Sequence, residues 1–503
     1  MKRLSYDTLK EQGYEGYLLK DAPEKVLQFG EGNFMRAFVD YFLDIMNEKA
    51  GFDGKAVLVQ PRPKRPGHNL ADDLKEQDGL YTLYLRGFEN GRRVNDKRVI
   101  SCVSRCLNAY ADYEEVMDCA KNPTLRYITC NTTEAGIVYD SSCSFGDKPA
   151  SSFPGKLTQF LYRRYQFFGK EKGKGFILLP CELIAENGKV LKECVLSYAK
   201  QWNLEPEFIN WLESENHFCS TLVDRIVTGP PTGEEDTLNT QNGYEDKAMD
   251  TGEVFASWVI EAPEFLKKEL PFEKAGLPVM ITKDHKPYKE RKVRILNGAH
   301  TSMVLGAYLS GQDIVRDCME DEVIKGFLDK IIQTEIIPTL SLPRKELESF
   351  AASVTERFKN PFIDHGLLSI SLNSTSKWKA RVMPSLTAYI EKTGTLPTCL
   401  TASFAFYLAF YKGHTLTPEG LKATRPAGDE YIISDDKEIL DFFAAHKDDT
   451  PQAYVHAVCT NKTLWDQDLT TLPGFEETVT RMLTIIQTEG AYTLMKECQS
   501  PTN

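Results

Sequence analysis

Short apolar runs and helical periodicities alternate along the first half of the chain. The apolar runs have the length and composition of buried strands, and segments with apolar residues at helical spacing follow them. The predicted strands lie at or within 26–29, 56–60, 81–87, 94–103, 126–130 and 176–180, and the predicted helices at 38–45, 156–168 and 191–202. Strands that alternate with helices predict a mostly parallel, doubly wound sheet.

The pattern changes near residue 281, after which helical periodicity dominates and strand signals are few. The predicted helices here are 290–310, 320–336, 345–358, 378–392, 400–412, 436–447 and 473–497. A turn-rich stretch at 283–287 marks the change. The sequence therefore predicts an α/β protein with a sheet domain at residues 1–280 and a mostly α-helical domain at residues 281–503.

The length of the chain supports this division, because 503 residues exceed what one ordinary hydrophobic core holds. Hydrophobic residues make up 42% and charged residues 26%, which is typical of a globular protein without long disordered regions. The formal net charge of −12 argues against a general nucleic-acid binder, although a local positive pocket could hold an anion.

The placement of cysteine and histidine argues against disulfides and metal sites. The 12 cysteines are scattered without a CxxC pair, and the eight histidines form no HExxH motif or Cys/His cluster. No apolar run is long enough to span a bilayer, and no apolar core follows the basic residues near the N-terminus. These features predict a cytoplasmic protein with reduced thiols, no bound metal and no membrane association.

A glycine turn follows the first predicted strand. Gly30 and Gly32 precede a helix, as in the first part of the dinucleotide-binding fingerprint, but Met35 occupies the third glycine position. The two glycines would let backbone amides approach a pyrophosphate at the positive end of the helix, and Arg36 could add a phosphate contact. The alternative is a plain turn between a strand and a helix.

The second predicted strand ends in Gln60 rather than in Asp or Glu. The carboxylate that usually binds the adenosine ribose of NAD is therefore missing from its usual place. Arg62 or Lys64 could favour the additional phosphate of NADP, whereas Asp72 and Asp73 lie farther along the chain and could reach back. These residues alone leave the choice between NAD and NADP open.

A helical segment of the second predicted domain carries an amine, a carboxamide and an imidazole. At about 100° per residue, His300 lies about 80° and Asn297 about 140° around the helix axis from Lys292, so the three polar groups share one flank. Such an arrangement suits oxidation of an alcohol or reduction of a ketone. The amine would move the hydroxyl proton, and the amide would stabilise the oxygen during hydride transfer. The alternative is a surface helix with a capping Asn.

Together, these motifs resemble the polyol-specific long-chain dehydrogenase family, also called the mannitol dehydrogenase family. The segments that carry the resemblance are 29–37 (FGEGNFMRA), 77–83 (QDGLYTL), 221–227 (TLVDRIV) and 288–300 (YKERKVRILNGAH). The family implies an α/β fold with an N-terminal Rossmann-like doubly wound sheet domain, followed by a mostly α-helical C-terminal domain that carries substrate and catalytic groups.

Further segments resemble the branch of this family that acts on hexuronates, namely 131–137, 180–184, 218–229 and 342–350. The resemblance implies an NAD-dependent oxidoreductase that interconverts D-tagaturonate and D-altronate, a small-molecule hexuronate and its aldonate, in galacturonate breakdown. Fructuronate (mannonate) reduction and mannitol-type polyol oxidation are alternatives within the family, and a non-catalytic dinucleotide sensor is an alternative of another class. The family also implies a monomer or a weak homo-oligomer.

The family implies a role for each residue of the predicted catalytic site. Lys292 would be the general acid and base, and Asn297 and Asn187 would donate amide hydrogen bonds to the reacting oxygen. His300 would contact the substrate. Asp224 would bind a substrate hydroxyl or hold a neighbouring side chain, and the alternative is a buried ion pair with the arginine that follows it.

The carboxylate of a hexuronate requires a cationic partner that mannitol does not need. Lys377 is the first choice for this partner and Arg381 the second, whereas Lys379 reads equally well as a solvated surface cation. The residues predicted to bind the cofactor are Phe29, Gly30, Gly32, Asn33, Phe34, Arg36, Thr132, Thr133 and Glu134. The last three follow a predicted strand, and a simple turn is the alternative for them.

Overall fold

The computed structural model describes residues 1–64, 67, 69–89, 91–133, 135–169 and 171–500. They form two compact units, of which the first comprises Met1–Glu89 and Arg93–His285. The second comprises the remaining described residues, essentially those from Lys286 onward. None of the helices in these ranges is long and apolar enough to cross a membrane.

The strands of the first unit form three sheets. They are β1 Glu24–Phe29, β2 Lys55–Gln60, β3 Tyr81–Glu89, β4 Arg92–Ile100, β5 Val103–Asn108, β6 Tyr127–Cys130, β7 Ile177–Pro180, β8 His217–Phe218, β9 Ser220–Asp224, β10 Val227–Gly229, β11 Asp250–Glu253, β12 Ser257–Glu261 and β13 Val279–Thr282. The main sheet is parallel, with strand order β5-β2-β1-β6-β7-β8. The smaller sheets have orders β10-β11-β3-β4 and β13-β12-β9.

Helices cover both faces of the parallel sheet. The helices of this unit are Tyr6–Glu11, Asn33–Met35, Tyr41–Ala50, Leu70–Glu76, Tyr113–Asp118, Phe153–Phe168, Asn187–Gln201, Pro206–Ser214, Glu235–Asn242 and Leu266–Glu269, with a π-helical turn at Arg36–Asp40 and a 3₁₀ turn at Cys119–Lys121. On one face Phe38 and Phe42 pack with Trp258, and on the other Phe153 and Phe160 pack with Leu178. Strands buried on both faces explain the continuous apolar runs, and the predicted doubly wound sheet is confirmed.

The chain changes sheets inside the region 94–103, where the sequence indicated one strand. The strand β4 ends at Ile100 beside β3, and β5 begins at Val103 in the parallel sheet. Between them, the backbone N–H and the hydroxyl of Ser101 donate to Asp44 Oδ1 at 2.8 and 3.1 Å. The buried carboxylate of Asp44 therefore accepts a hydrogen bond from the backbone N–H of Ser101, which lies between the two sheets.

The second unit is mostly helical. Its helices are Lys286–Arg291, Ala299–Leu309, Val315–Glu320, Glu322–Lys330, Arg344–Phe358, Leu367–Ile370, Ser374–Arg381, Met383–Thr393, Thr398–Tyr411, Lys437–Ala445, Pro451–Thr460, Lys462–Trp465, Phe475–Glu489 and Ala491–Gln499, with π-helical Lys292–Gly298 and Ile331–Ile336 and 3₁₀ turns at Ile337–Thr339 and Leu469–Thr471. Thr398–Tyr411 is buried on nearly every side and packs against Ala299–Leu309. A small antiparallel sheet, which the sequence did not predict, consists of β14 Thr415–Thr417, β15 Gly420–Thr424 and β16 Glu430–Ile433.

Asn187 is the first residue of the helix that follows β7. Its side chain makes hydrogen bonds both to the end of β7 and to β9. Its Nδ2 lies 3.0–3.1 Å from the carbonyl oxygens of Pro180, Glu182 and Thr221. Its Oδ1 accepts from the backbone N–H groups of Gly188 and Thr221, both at 2.8 Å. The side chain is buried, and its carboxamide is occupied by the backbone on both sides.

We expect Asn187→Ala to lower the melting temperature of the protein markedly, because each buried backbone group left without a partner costs about 1–3 kcal/mol. Thermal unfolding followed by circular dichroism measures this effect. Asn210→Ala is the control, since Asn210 is exposed on a helix of the same unit and should leave the melting temperature unchanged. An unaltered melting temperature combined with a large fall in turnover would instead favour the role that the family implies for Asn187.

Candidate functional site

The glycine turn lies between β1 and the helix that follows it. Gly30 has a φ of +117°, and a Cβ there would stand 3.1 Å from the carbonyl oxygen of Asn131 in the turn after β6. The backbone conformation and the neighbouring turn therefore both require glycine at this position. A Cβ at Gly32 would meet open space, which leaves room for a ligand beside the turn.

A cavity of about 1020 Å³ opens over the carboxyl ends of β1, β2 and β6. In the strand order, β1 lies between β2 and β6, so the chain connections run in opposite directions from β1. At this reversal of strand order, doubly wound sheets have a crevice in which they bind ligands. Residues that line the cavity include Gly30, Glu31, Gly32, Gln60, Arg62, Asn69, Thr132, Thr133, Asp140, Ser152 and Lys156. Its volume lies near the upper end of small-molecule sites, about 300–1,000 Å³, and suits an extended ligand.

The residues predicted to bind the cofactor divide into two groups. Those that line the cavity are Gly30, Gly32, Thr132 and Thr133. Those that do not line it are Phe29, Asn33, Phe34 and Arg36. Glu134 lies outside the described residues.

The guanidinium of Arg36 is engaged inside the unit, and its expected phosphate contact stays a prediction. The residue is 1% exposed, and it donates to the carbonyl oxygens of Glu31 and Ala248 and, at 2.8 Å, to Asn33 Oδ1. The carboxylate of Asp250 lies 3.5 Å from the guanidinium. These partners hold the glycine turn against β11.

A buried carboxylate, Glu182, shapes the turn on the other side of the cavity. Its Oε1 accepts from the backbone N–H and the hydroxyl of Thr132 at 2.9 and 3.0 Å, and its burial raises its pKa. Thr133, which follows Thr132 in this turn, has a φ of +77°. Sequence reasoning missed Glu182, although an acidic residue two positions after a buried strand was a usable signal.

Lys156 was also missed by sequence reasoning. Its side chain lines the cavity but is largely buried, and Nζ donates to the carbonyl oxygen of Ser151 at 2.7 Å. Nζ also lies 5.0 Å from the centre of the Tyr110 ring. Burial lowers the pKa of Lys156 to about 8. The wall of the cavity therefore contains an amine that is more easily deprotonated than an exposed lysine.

Asp224 ends β9 and is 8% exposed. The guanidinium of the following Arg225 donates to the carbonyl oxygens of Ala37, Val254 and Phe255 at 2.5, 3.2 and 3.2 Å. These bonds tie the end of β9 to the helix of the glycine turn. The expected substrate contact of Asp224 stays a prediction.

The segment Lys292–Gly298 in the second unit is π-helical rather than α-helical. A π-helix closes hydrogen bonds between residues five apart, as between the N–H of Ala299 and the carbonyl oxygen of Arg294. Lys292 and Asn297 are also five residues apart and thus lie about one π-helical turn apart, whereas α-helical geometry separates them by about 140° around the axis. The wider turn therefore brings the two residues closer to one side of the helix than an α-helix would.

His300 lies on the helix that continues from this segment. Its ring stacks on Phe358, with 4.7 Å between ring centroids, and lies 5.4 Å from the ring of His365. Nε2 is buried and has no hydrogen-bond partner among the described residues. Burial and the nearby charges of His365 and Arg381 lower the pKa of His300 to about 3. The imidazole is therefore neutral near pH 7, and Nε2 can bind a ligand hydroxyl.

The helix Ser374–Arg381 packs directly against the π-helical segment. A Cβ at Gly298 would lie 2.7 Å from the carbonyl oxygen of Arg381, so only glycine allows this approach. Lys377 Nζ donates to the carbonyl oxygen of Ile370 at 2.8 Å. Burial and the charge of Arg381 lower the pKa of Lys377. Two partly buried cations therefore lie on this helix close to His300.

The third cation of this helix has a different environment. Lys379 Nζ pairs with the exposed carboxylate of Asp466 at 2.6 Å. Its charge is therefore already balanced on the surface, which distinguishes Lys379 from Lys377.

The cysteines of the described chain are buried thiols that form no disulfides. Across the same residues, no group of three or more His, Cys, Asp or Glu side chains is placed to hold a metal ion.

Family models match nearly the whole chain. The Rossmann domain of mannitol dehydrogenase matches residues 24–274, and the C-terminal domain of mannitol dehydrogenase matches residues 284–487. Altronate oxidoreductase from Klebsiella pneumoniae (strain 342) is 46% identical over 475 residues, which cover 93% of this chain and 95% of that protein. Altronate oxidoreductase from Enterobacter sp. (strain 638) is 43% identical over 498 residues, which cover 98% and 99%.

Solved structures share the fold. Substrate-free D-sorbitol dehydrogenase matches with a TM-score of 0.80 at 24% identity, covering 98% of this chain and 100% of that one. Mannitol 2-dehydrogenase from Pseudomonas fluorescens, in a ternary complex with NAD and D-mannitol, matches with a TM-score of 0.66 at 23% identity, covering 98% and 99%. The resemblance seen in the sequence is confirmed: the chain belongs to the mannitol dehydrogenase family and is an oxidoreductase that acts on a CH–OH group.

Proposed function

We propose that this protein is an NAD-dependent oxidoreductase that interconverts D-tagaturonate and D-altronate. The observation that carries the proposal is the pair of partly buried cations, Lys377 and Arg381, beside the neutral imidazole of His300. A hexuronate brings a carboxylate to such a site, whereas mannitol brings none. The similarity to altronate oxidoreductases over nearly the whole chain supports the same substrate class.

The cavity of the first unit suits a nicotinamide dinucleotide. Gly30 and Gly32 keep the space beside the turn clear of side chains, and the buried Nδ2 of Asn69 in the cavity wall has no partner among the described residues. When bound, the dinucleotide supplies or accepts the hydride. The residues proposed to hold it are Gly30, Gly32, Thr132 and Thr133.

Proton transfer is assigned to Lys292. In reduction, its ammonium gives a proton to the ketone oxygen, and in oxidation the neutral amine takes the hydroxyl proton. Asn297, about one π-helical turn farther along the chain, is proposed to donate a hydrogen bond to the same oxygen. Asn187 would be a second donor only if one of its bonds to a backbone carbonyl were exchanged for the substrate.

Substrate binding is assigned to residues around this pair. The Nε2 of His300 binds a substrate hydroxyl, Lys377 binds the carboxylate and Arg381 adds a second positive charge. Asp224 is proposed to accept a hydrogen bond from another hydroxyl. The alternatives are fructuronate (mannonate) reduction, mannitol-type polyol oxidation and, as a non-enzyme, dinucleotide sensing.

A panel of ketone substrates tests the proposal. Consumption of NADH would be followed by its absorbance with tagaturonate, fructuronate and fructose in parallel, and we expect the highest kcat/KM with tagaturonate. Turnover with fructose alone would exclude a hexuronate substrate. Dinucleotide binding without turnover of any of the three would favour the sensor.

Lys292→Ala should lower kcat by a factor on the order of 10²–10⁴, as expected when a proton-transfer group is lost. The Kd for NADH, measured by fluorescence titration, should change little. Lys289→Ala is the matched control, because Lys289 is an exposed lysine on the helix that precedes Lys292. Equal turnover of the wild type and Lys292→Ala would refute the assignment.

Lys377→Met should raise the KM for tagaturonate roughly 10–100-fold, because a charged hydrogen bond contributes about 1.5–3 kcal/mol. Lys379→Met removes the same charge from the same helix but only breaks the surface pair with Asp466, so its KM should stay near that of the wild type. Steady-state kinetics of the two variants make the comparison. Similar increases for both would point to a general effect of charge and not to a carboxylate contact at Lys377.

A further inference from the structure

The carboxyl end of β2 carries a polar cluster in place of the missing acidic residue. Gln60 Nε2 donates to Glu31 Oε1 at 2.9 Å and lies 3.2 Å from Asn69 Oδ1. Its Oε1 accepts from Asn108 Nδ2 at 2.7 Å. Glu31, Gln60 and Asn69 all line the cavity described above. The carboxylate of Glu31, from the glycine turn, thus lies at the end of β2, where the strand itself has no acidic residue.

This cluster has a fixed orientation. Both ends of the Gln60 carboxamide are engaged, so it cannot turn away from Glu31. Asn69 Oδ1 also accepts from the N–H of Ala71, which directs Nδ2 elsewhere. That Nδ2 is buried and has no partner among the described residues. The cluster therefore places a carboxylate acceptor at the cavity wall and, buried beside it, an amide donor that has no partner among the described residues.

An acceptor beside a donor matches the hydroxyl groups of a ribose, which can donate to the carboxylate and accept from the amide. The 2′-phosphate of NADP would instead bring a multiple negative charge toward the carboxylate. Lys64, a cation that could have favoured this phosphate, is paired with Asp72 at 2.7 Å. Arg62 is exposed at the cavity, and Arg65 lies outside the described residues.

We propose that Glu31 and Asn69 bind the ribose hydroxyls in the adenosine half of the dinucleotide and make the site selective for NAD over NADP. The inference rests on the proposed dinucleotide function. Gln60 acts as a positioning residue, because it holds the Glu31 carboxylate at the end of β2.

Direct binding measurements test this selectivity without turnover. The Kd values for NADH and NADPH would be measured by fluorescence titration for the wild type, Glu31→Gln and Glu31→Lys. The wild type should prefer NADH. Glu31→Gln keeps the size of the side chain and should lower the preference roughly 10–100-fold, in line with the loss of a charged hydrogen bond. Glu31→Lys should prefer NADPH.

Asp140→Asn is the matched control, because Asp140 lines the same cavity but its carboxylate binds Ser142 of its own loop. Its ratio of Kd values should equal that of the wild type. An unchanged ratio in both Glu31 variants would overturn the inference, and so would a wild type that prefers NADPH, which would assign the site to Arg62. Failure of the wild type to bind either dinucleotide would reject the proposed function itself.

Discussion

The position of the glycine turn depends on one buried cation. Arg36 donates to the carbonyl oxygen of Glu31 within the turn and to that of Ala248 beside β11, and Asp250 balances its charge. A buried charge without its partners is strongly destabilising, so these groups must assemble together. Because Gly30, Glu31 and Gly32 of this turn line the cavity, the buried partners of Arg36 fix the geometry of the site before a ligand binds.

Buried charged side chains also bind backbone groups at the ends of other strands of this unit. Glu182 holds the turn of Thr132, and Arg225 binds three backbone carbonyls after β9. Backbone groups at a strand end leave the sheet, so polar side chains satisfy them instead. Arg36, Glu182 and Arg225 all lie in segments that carry the family resemblance. Those motifs therefore reflect the requirements of folding as well as those of chemistry.

The sheet of the first unit could be predicted because buried parallel strands leave continuous apolar runs in the sequence. The break at Ser101 could not, since it depends on Asp44, which is distant in the chain. Charge alone did not reveal that Arg36 is an interior residue. The π-helical turn that carries Lys292 and Asn297 was not predicted, because π-helical and α-helical turns share the same residue types. The candidate residues were thus found, but their partners were not.

The contact between Gly298 and the backbone of Arg381 has a consequence for substrate length. Two helices touch there without an intervening side chain, so main-chain packing sets the spacing between the segments that carry Lys292 and Lys377. Under the proposed roles, the first residue marks the reacting carbon and the second marks the terminal carboxylate. The second unit would then select substrates by the length of their carbon chain, and sugar acids one carbon shorter or longer would fit poorly whatever their stereochemistry.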